Sequence, residues 1–412
     1  MRSVCVAGAV ALLLGVAAPA ASAKLGEATS TQDGSVDGPL VSVIVMGASS
    51  GHARGRVNAH HGSASGDLPI VNGVVAQVTS GELAELNSDP EVVVAPNAAV
   101  EVTAVADIAT RPPAAVYPAT TGASTLAASG ASGRGITVAV LDTGIAPLPD
   151  FAGRLVGGVD LSGEGDPFKD SYGHGTFVSG LIAGNGASSN GAYLGEAPGA
   201  SLVSIKAAGA SGSTDLATVI RGIQWAVSNK TAFNIGVLNI SMGAAPFPSS
   251  VTNPLDQAVE VAWRNGIVVV VSAGNTGPIN GTITSPGDDP LVVTVGALDD
   301  NGTATALDDT MTAFSAVGPT AVDGWFKPDL VASGRSVVSL RVPDSTIDTS
   351  NPGARVGTSN FVGSGTSFSA AITSGAVAML RQLDPAAGPD RIKARLIAGA
   401  ARGPVGDPLV DG

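Results

Sequence analysis

Five near-continuous apolar runs, at residues 136–141, 202–205, 237–240, 267–271 and 291–295, constrain this chain more than any other feature. Stretches of helical period separate several of them. Leu216, Val219, Ile220, Ile223 and Val227 share one helical face, as do Leu255, Ala258, Val259 and Ala262. Unbroken apolar strands alternating with such helices predict a doubly wound, mostly parallel α/β sheet with helices on both faces. In sheets of this kind the chemistry gathers beyond the carboxyl ends of the strands. The polar residues just past each run are therefore the ones to inspect.

A smaller pattern lies upstream. Residues 41–46, 70–78 and 92–95 read as strands, and a helix opens with Ser80 as cap and Leu83 and Leu86 on one face. Together they predict a small α+β domain over residues 40–104. A polar linker, 24–39, precedes it, and a Pro- and Ala-rich linker, 105–130, joins it to the large domain, 131–412. Arg2, the apolar residues 4–18 and Ala21-Ser22-Ala23 have the charged start, short core and small-residue exit of a secretory signal. Removal of residues 1–23 and a secreted protein are expected. No later run reaches the roughly 18 apolar residues of a membrane span, so no membrane anchor is expected. The sole cysteine, Cys5, lies in the signal, which leaves the mature chain without a disulfide or a thiol nucleophile. A net charge of −13 repels phosphate backbones, so no nucleic acid partner is expected.

Three strand ends carry polar groups: Asp142-Thr143-Gly144, Ser241-Met242-Gly243 and Ser272-Ala273-Gly274-Asn275. Asp-Thr-Gly alone is equally the turn that ends an ordinary strand. Its use in aspartic proteases needs a second copy, which the chain lacks. Of four histidines, His52, His60, His61 and His174, only His174 lies in the large domain, between glycines at the start of a helical run. Ser367 closes Gly363-Ser364-Gly365-Thr366-Ser367, directly before a small-residue helix. A serine there faces unpaired amides and the positive end of the helix dipole, which favour an oxyanion beside it, although the position also suits a plain cap. Jointly these residues compose one mechanism. A serine hydroxyl needs a base, and His174 is the one available; an imidazolium needs a carboxylate, and Asp142 ends a strand. The chain order Asp, His, Ser is that of subtilisin, not of chymotrypsin or the α/β-hydrolases.

From residue 135 onward the chain resembles the subtilisin-like serine peptidases, or subtilases, through Val140-Leu141-Asp142-Thr143-Gly144, Gly173-His174-Gly175-Thr176 and Gly365-Thr366-Ser367. The resemblance implies hydrolysis of peptide bonds in polypeptide substrates through an acyl-enzyme on Ser367. His174 would be general base and acid, and Asp142 the orienting carboxylate. It implies that Asn275 and the Ser367 amide form the oxyanion hole. Ser241, Met242 and Gly243 would pair with the substrate backbone and, with Ala273 and Gly274, wall the first specificity pocket. The small domain resembles the family's inhibitory propeptide through Leu68-Pro69-Ile70-Val71-Asn72-Gly73-Val74. That implies a zymogen with its own propeptide as intramolecular inhibitor, self-cut between about residues 105 and 128. A monomer is expected, with no cofactor for the chemistry.

The chain departs from the family pattern at four places. Phe177 replaces a second histidine, Phe368 the methionine after the nucleophile, Ala371 a proline, and Ala332-Ser333-Gly334 an Ala-Pro-Gly. None of these residues transfers a proton, so the change falls on cleft shape. Calcium is common in the family. Loop 185–194, Asp166 and Asp170 are its conceivable ligand sources, but no segment carries the dense carboxylate spacing that makes a site readable. Two other functions stay open on sequence alone: an inactive subtilisin-like binding module, and an esterase using the same triad.

Overall fold

The structure, a computed structural model, describes residues 38–102, 104, 114–246 and 249–412. The signal-like residues 1–23, residues 24–37 of the first linker and residues 105–113 of the second lie outside the described residues.

The small domain runs β1 (Val41–Met46), α1 (Ser50–Ala59), β2 (Ser63–Leu68), β3 (Gly73–Val78), α2 (Ser80–Ser88) and β4 (Val93–Pro96). Its antiparallel sheet has the order β2-β3-β1-β4. Alternation along β1 splits its apolar residues between two cores. Val43 and Val45 join Val57, Val74 and Leu86 in a small core. Ile44 and Met46 belong to the main core of the molecule. Thr79, rather than Ser80, caps α2: its hydroxyl accepts from Glu82 N at 3.3 Å while Glu82 Oε2 accepts from Thr79 N at 2.6 Å. The strand expected at 70–78 begins only at Gly73, because residues 69–71 form a short 3-10 turn closed by Asn72 at φ 53°. α1 and β2 leave almost no trace in the sequence. α1 contains two glycines and buries only Ala53 and Val57.

β5 (Ala99–Val102) leaves the small domain. The linker expected over 105–130 is folded in its second half, as α3 (Tyr117–Thr120) and α4 (Ala123–Ala128). Tyr117 is the reason: its ring is buried and its hydroxyl donates to Leu194 O at 2.6 Å.

The large domain continues with β6 (Thr137–Asp142), β7 (Leu155–Asp160), α5 (His174–Ala183), β8 (Ser201–Lys206), β9 (Ser213–Asp215), α6 (Leu216–Ser228) and α7 (Lys230–Phe233). Next come β10 (Ile235–Ile240), β11 (Met242–Gly243), α8 (Pro254–Arg264), β12 (Val268–Ser272), β13 (Val293–Asp299), β14 (Thr310–Met311) and β15 (Leu330–Ser333). β16 (Val337–Leu340), α9 (Thr346–Ser350), β17 (Arg355–Val356), β18 (Asn360–Gly363), α10 (Thr366–Leu383) and α11 (Pro389–Gly399) complete it. The main sheet has the order β14-β13-β12-β10-β6-β8-β7, with β15 also on β13. Every pairing in it is parallel except β13 with β14. All five apolar runs fall on parallel strands, as expected of strands covered on both faces. α5 packs on α10 and α6 on α8, which supplies a helical layer to each face. Strand order reverses between β6 and β10, and a crevice at such a switch point is where α/β sheets bind their ligands.

Candidate active site

The residues singled out from sequence converge at the carboxyl edge of the sheet. Asp142 is the last residue of β6, Ser241 follows β10, and Ala273, Gly274 and Asn275 follow β12. His174 opens α5 and Ser367 lies in the first turn of α10. Asp142 grips the imidazole with both oxygens, Oδ1 at 2.8 Å and Oδ2 at 3.0 Å from His174 Nδ1. That bond places the proton on Nδ1 and leaves Nε2 as the basic nitrogen. Nε2 is buried and has no hydrogen-bond partner among the described residues. Ser367 Oγ donates to the Ser241 carbonyl at 3.0 Å, and Ser241 Oγ donates to the Ser367 carbonyl at 3.1 Å. Bringing the Ser367 hydroxyl proton onto Nε2 therefore means giving up its bond to the Ser241 carbonyl. Hydrogen bonds of this kind are often unmade until substrate arrives.

A buried scaffold fixes the Asp142–His174 pair, and local sequence pattern reveals little of it. Asp142 Oδ1 accepts from Thr143 N at 2.8 Å. The Thr143 hydroxyl donates to Asp170 Oδ1 at 2.8 Å and accepts from Gly175 N at 2.9 Å. Asp170 also accepts from Gly173 N at 2.7 Å and Thr176 N at 2.8 Å, amides at the start of α5. Burial raises the Asp170 pKa in spite of these donors. Lys206 Nζ, buried, donates to Thr143 O at 3.1 Å and to Lys169 O, and pairs with Glu164 at 3.0 Å. Asp170 thus caps the start of α5, with both carboxylate oxygens accepting hydrogen bonds. The signal that marks it in sequence is a carboxylate just ahead of a helix start. Asp166 is likewise engaged, accepting from Phe168 N at 2.8 Å within its own turn. Among the described residues no group of three or more His, Cys, Asp or Glu is placed to hold a metal ion.

Asn275 has its amide oriented by α10. Its Oδ1 accepts from Thr366 N and from Thr366 Oγ1, both at 2.9 Å, and Gly274 N donates to that same hydroxyl oxygen at 3.2 Å. The acceptor end is spent, so Nδ2 is the free end, and it is buried without a partner among the described residues.

The expected pocket walls meet at Thr284. A Cβ on Gly243 would stand 2.7 Å from Thr284 Oγ1, and one on Gly274, at φ 110°, would stand 2.9 Å from Thr284 Cγ2. Glycine at both positions lets the two walls close on this residue. Ala273 O accepts from Thr284 N at 3.0 Å. β5 lies between β11 and β9, antiparallel to both: Val102 faces Met242, Glu101 faces Gly243 and Ser213, and Ala99 faces Asp215. The edges beside the nucleophile therefore hold an extended chain as an added strand.

The two phenylalanine departures answer each other. Phe177 and Phe368 are buried with ring centroids 4.4 Å apart, and Phe368 lies 5.6 Å from the His174 ring. A larger residue after Ser367 is accommodated because the position three after His174 is also an apolar ring.

The large domain is similar to known proteins. The model of the Subtilase family matches residues 133–411. Serine protease AprX of Bacillus subtilis (strain 168) is 43% identical over 286 residues, covering 68% of this chain and 64% of AprX. Subtilisin Savinase of Lederbergia lenta is 34% identical over 256 residues, covering 62% of this chain and 80% of that protein. Fervidolysin from Fervidobacterium pennivorans, a keratinolytic enzyme related to subtilisin, superposes with a TM-score of 0.69 at 24% identity, covering 93% of this chain and 60% of its own. That last likeness speaks for the fold. The chain spans under two thirds of the lengths of AprX and fervidolysin.

Proposed function

Because the chain belongs to the subtilase family, we propose that it is a secreted serine endopeptidase made as a self-processed precursor. One observation carries the reading: the Asp142–His174 pair and the oriented Asn275 amide each offer a buried nitrogen, unpartnered among the described residues, around the helix start that bears Ser367. Ser367 Oγ attacks the substrate carbonyl while His174 Nε2 takes its proton. The tetrahedral oxyanion is held by Asn275 Nδ2 and the Ser367 amide. His174 returns the proton to the departing amine, and water then hydrolyses the acyl-enzyme by the same route. Asp142 stabilises the transient imidazolium. Asn275→Ala is expected to lower kcat on a peptide by about 10²- to 10³-fold with little change in KM, since the donor serves the oxyanion alone. Steady-state kinetics of mature protein checks this.

The pairing of β5 favours a peptide over a simple ester as substrate, because backbone bonds to an added strand supply affinity along an extended chain. It also supports reading residues 40–104 as an inhibitory propeptide. The register moves the expected maturation cut toward the small domain. Val102 faces Met242, and the next residue toward the nucleophile, Ser241, is the one whose carbonyl meets the Ser367 hydroxyl. The bond delivered to Ser367 is therefore expected within a residue or two of Val102, just ahead of the 105–128 interval rather than inside it. Thr103 itself lies outside the described residues. Fluorophosphonate labelling with intact mass, wild type beside Ser367→Ala, tests both points. We expect a labelled, shortened wild type and an unlabelled, full-length variant. An unlabelled wild type that is folded and free of its propeptide would make the chain a binding module.

A further inference from the structure

A second cavity, of about 280 Å³, opens between α4, α10, α11 and β15. It is reached at Thr373, about 9 Å along the α10 axis from Ser367 at 1.5 Å per residue. Leu126, Leu298, Met379 and Leu396 give it apolar walls, and Glu196 lines it from beneath α10. Gly375 makes room for that carboxyl, since a Cβ there would stand 2.5 Å from Glu196 Cβ. Glu196 is 2% exposed, and neither of its carboxyl oxygens has a hydrogen-bond partner among the described residues. The Thr121 hydroxyl on the same wall donates to Tyr117 O at 2.9 Å while lying near enough to Glu196 to oppose part of the effect of burial on that acid, and the Tyr117 hydroxyl donates to Leu194 O.

One further acid and two arginines also line the cavity. Asp309 also lines it, and its buried Oδ1 lacks a partner among the described residues. Arg395 is held by Asp384 at 2.9 Å, and Arg402 is exposed at the mouth. Burial pushes Glu196 up to about 8, and burial with the neighbouring acids Asp300, Asp308 and Asp299 pushes Asp309 up to about 6. Unfilled acceptors on apolar walls call for a ligand that brings donors, a positive charge and a small hydrophobic body. We propose that this cavity binds a small organic ammonium ion, its head donating to Glu196 and its apolar body against Leu126, Met379 and Leu396. On binding, Glu196 gives its proton to solvent and the ammonium becomes its counter-charge. The site is independent of the peptidase chemistry.

Benzylamine is the probe, titrated calorimetrically into Ser367→Ala protein near pH 7, where neither self-cleavage nor turnover interferes. One-to-one binding is expected, with a heat that varies with the buffer's ionisation enthalpy because a proton is released. The unfolding temperature should rise with probe concentration, as for any ligand of the folded state alone. Benzyl alcohol, of the same shape without the charge, is expected to bind at least tenfold more weakly. Glu196→Gln keeps the shape of the protonated acid and should fold, yet lose at least tenfold in benzylamine affinity. Ala376→Phe keeps Glu196 but fills the cavity and should also lose binding. Equal affinity for the alcohol, undiminished binding in either variant, or no binding at millimolar benzylamine overturns the proposal.

Discussion

Ser367→Ala is expected to lower kcat on a peptide substrate by about 10⁶-fold, the scale at which a serine nucleophile working with a base is lost. His174→Ala should lose about as much, and the double variant should be no worse than either single one. The reason is mechanical. The hydroxyl is not a useful nucleophile until Nε2 takes its proton, and Nε2 has no other partner among the described residues. Removing either partner removes one event, so the losses do not add. Asp142→Asn should cost about 10⁴-fold, because an amide at 2.8 Å from Nδ1 no longer enforces the tautomer that exposes a basic Nε2. The measurement needs variants matured in trans by a trace of wild type, since a retained propeptide would mimic a dead triad. Additive losses would mean that Ser367 and His174 act separately. Near-normal turnover by Ser367→Ala would move the nucleophile elsewhere and rule out an acyl-enzyme on Ser367.

The main features of this site were legible because they sit where local rules are strong. Parallel strands buried on both faces have no polar face to blur them, so β6, β10 and β12 stand out as runs of Val, Ile and Leu. Asp142, Ser241 and the segment 272–275 stand where those runs stop, while the role of Asn275 within that segment comes from the family resemblance. The groups that hold them were not legible. Thr143, Asp170 and Lys206 meet one another and the amides at the start of α5 only through the fold, and Thr284 comes to Gly243 and Gly274 from a different loop. A polar residue buried by tertiary contact looks in sequence like any surface residue. α1 is illegible for the opposite reason: its two glycines and two buried side chains give no period to detect.

Glu196 makes a separate prediction, on stability. An acid whose folded pKa lies above its unfolded value binds more protons when folded, so stability falls as pH rises. Below about pH 4.5 both states hold the proton and Glu196 carries no penalty. From there to about 8, its folded value, the unfolded chain ionises and the folded one does not. The gap of about 3.5 pH units, at about 1.4 kcal/mol each, amounts to about 5 kcal/mol of stability lost by pH 8, a large share of what a domain has. The other raised acids, Asp170, Asp256, Asp288, Asp289 and Asp309, slope the same way. The assignable quantity is therefore the difference between Ser367→Ala protein and the same protein carrying Glu196→Gln. Glutamine matches the protonated acid in shape and cannot ionise. The two should unfold alike in denaturant near pH 4.5 and diverge steadily to pH 8, with the glutamine variant the more stable. Parallel curves across that range would mean that Glu196 ionises as easily in the folded chain as in the unfolded one, through water or a counter-ion reaching it by the cavity.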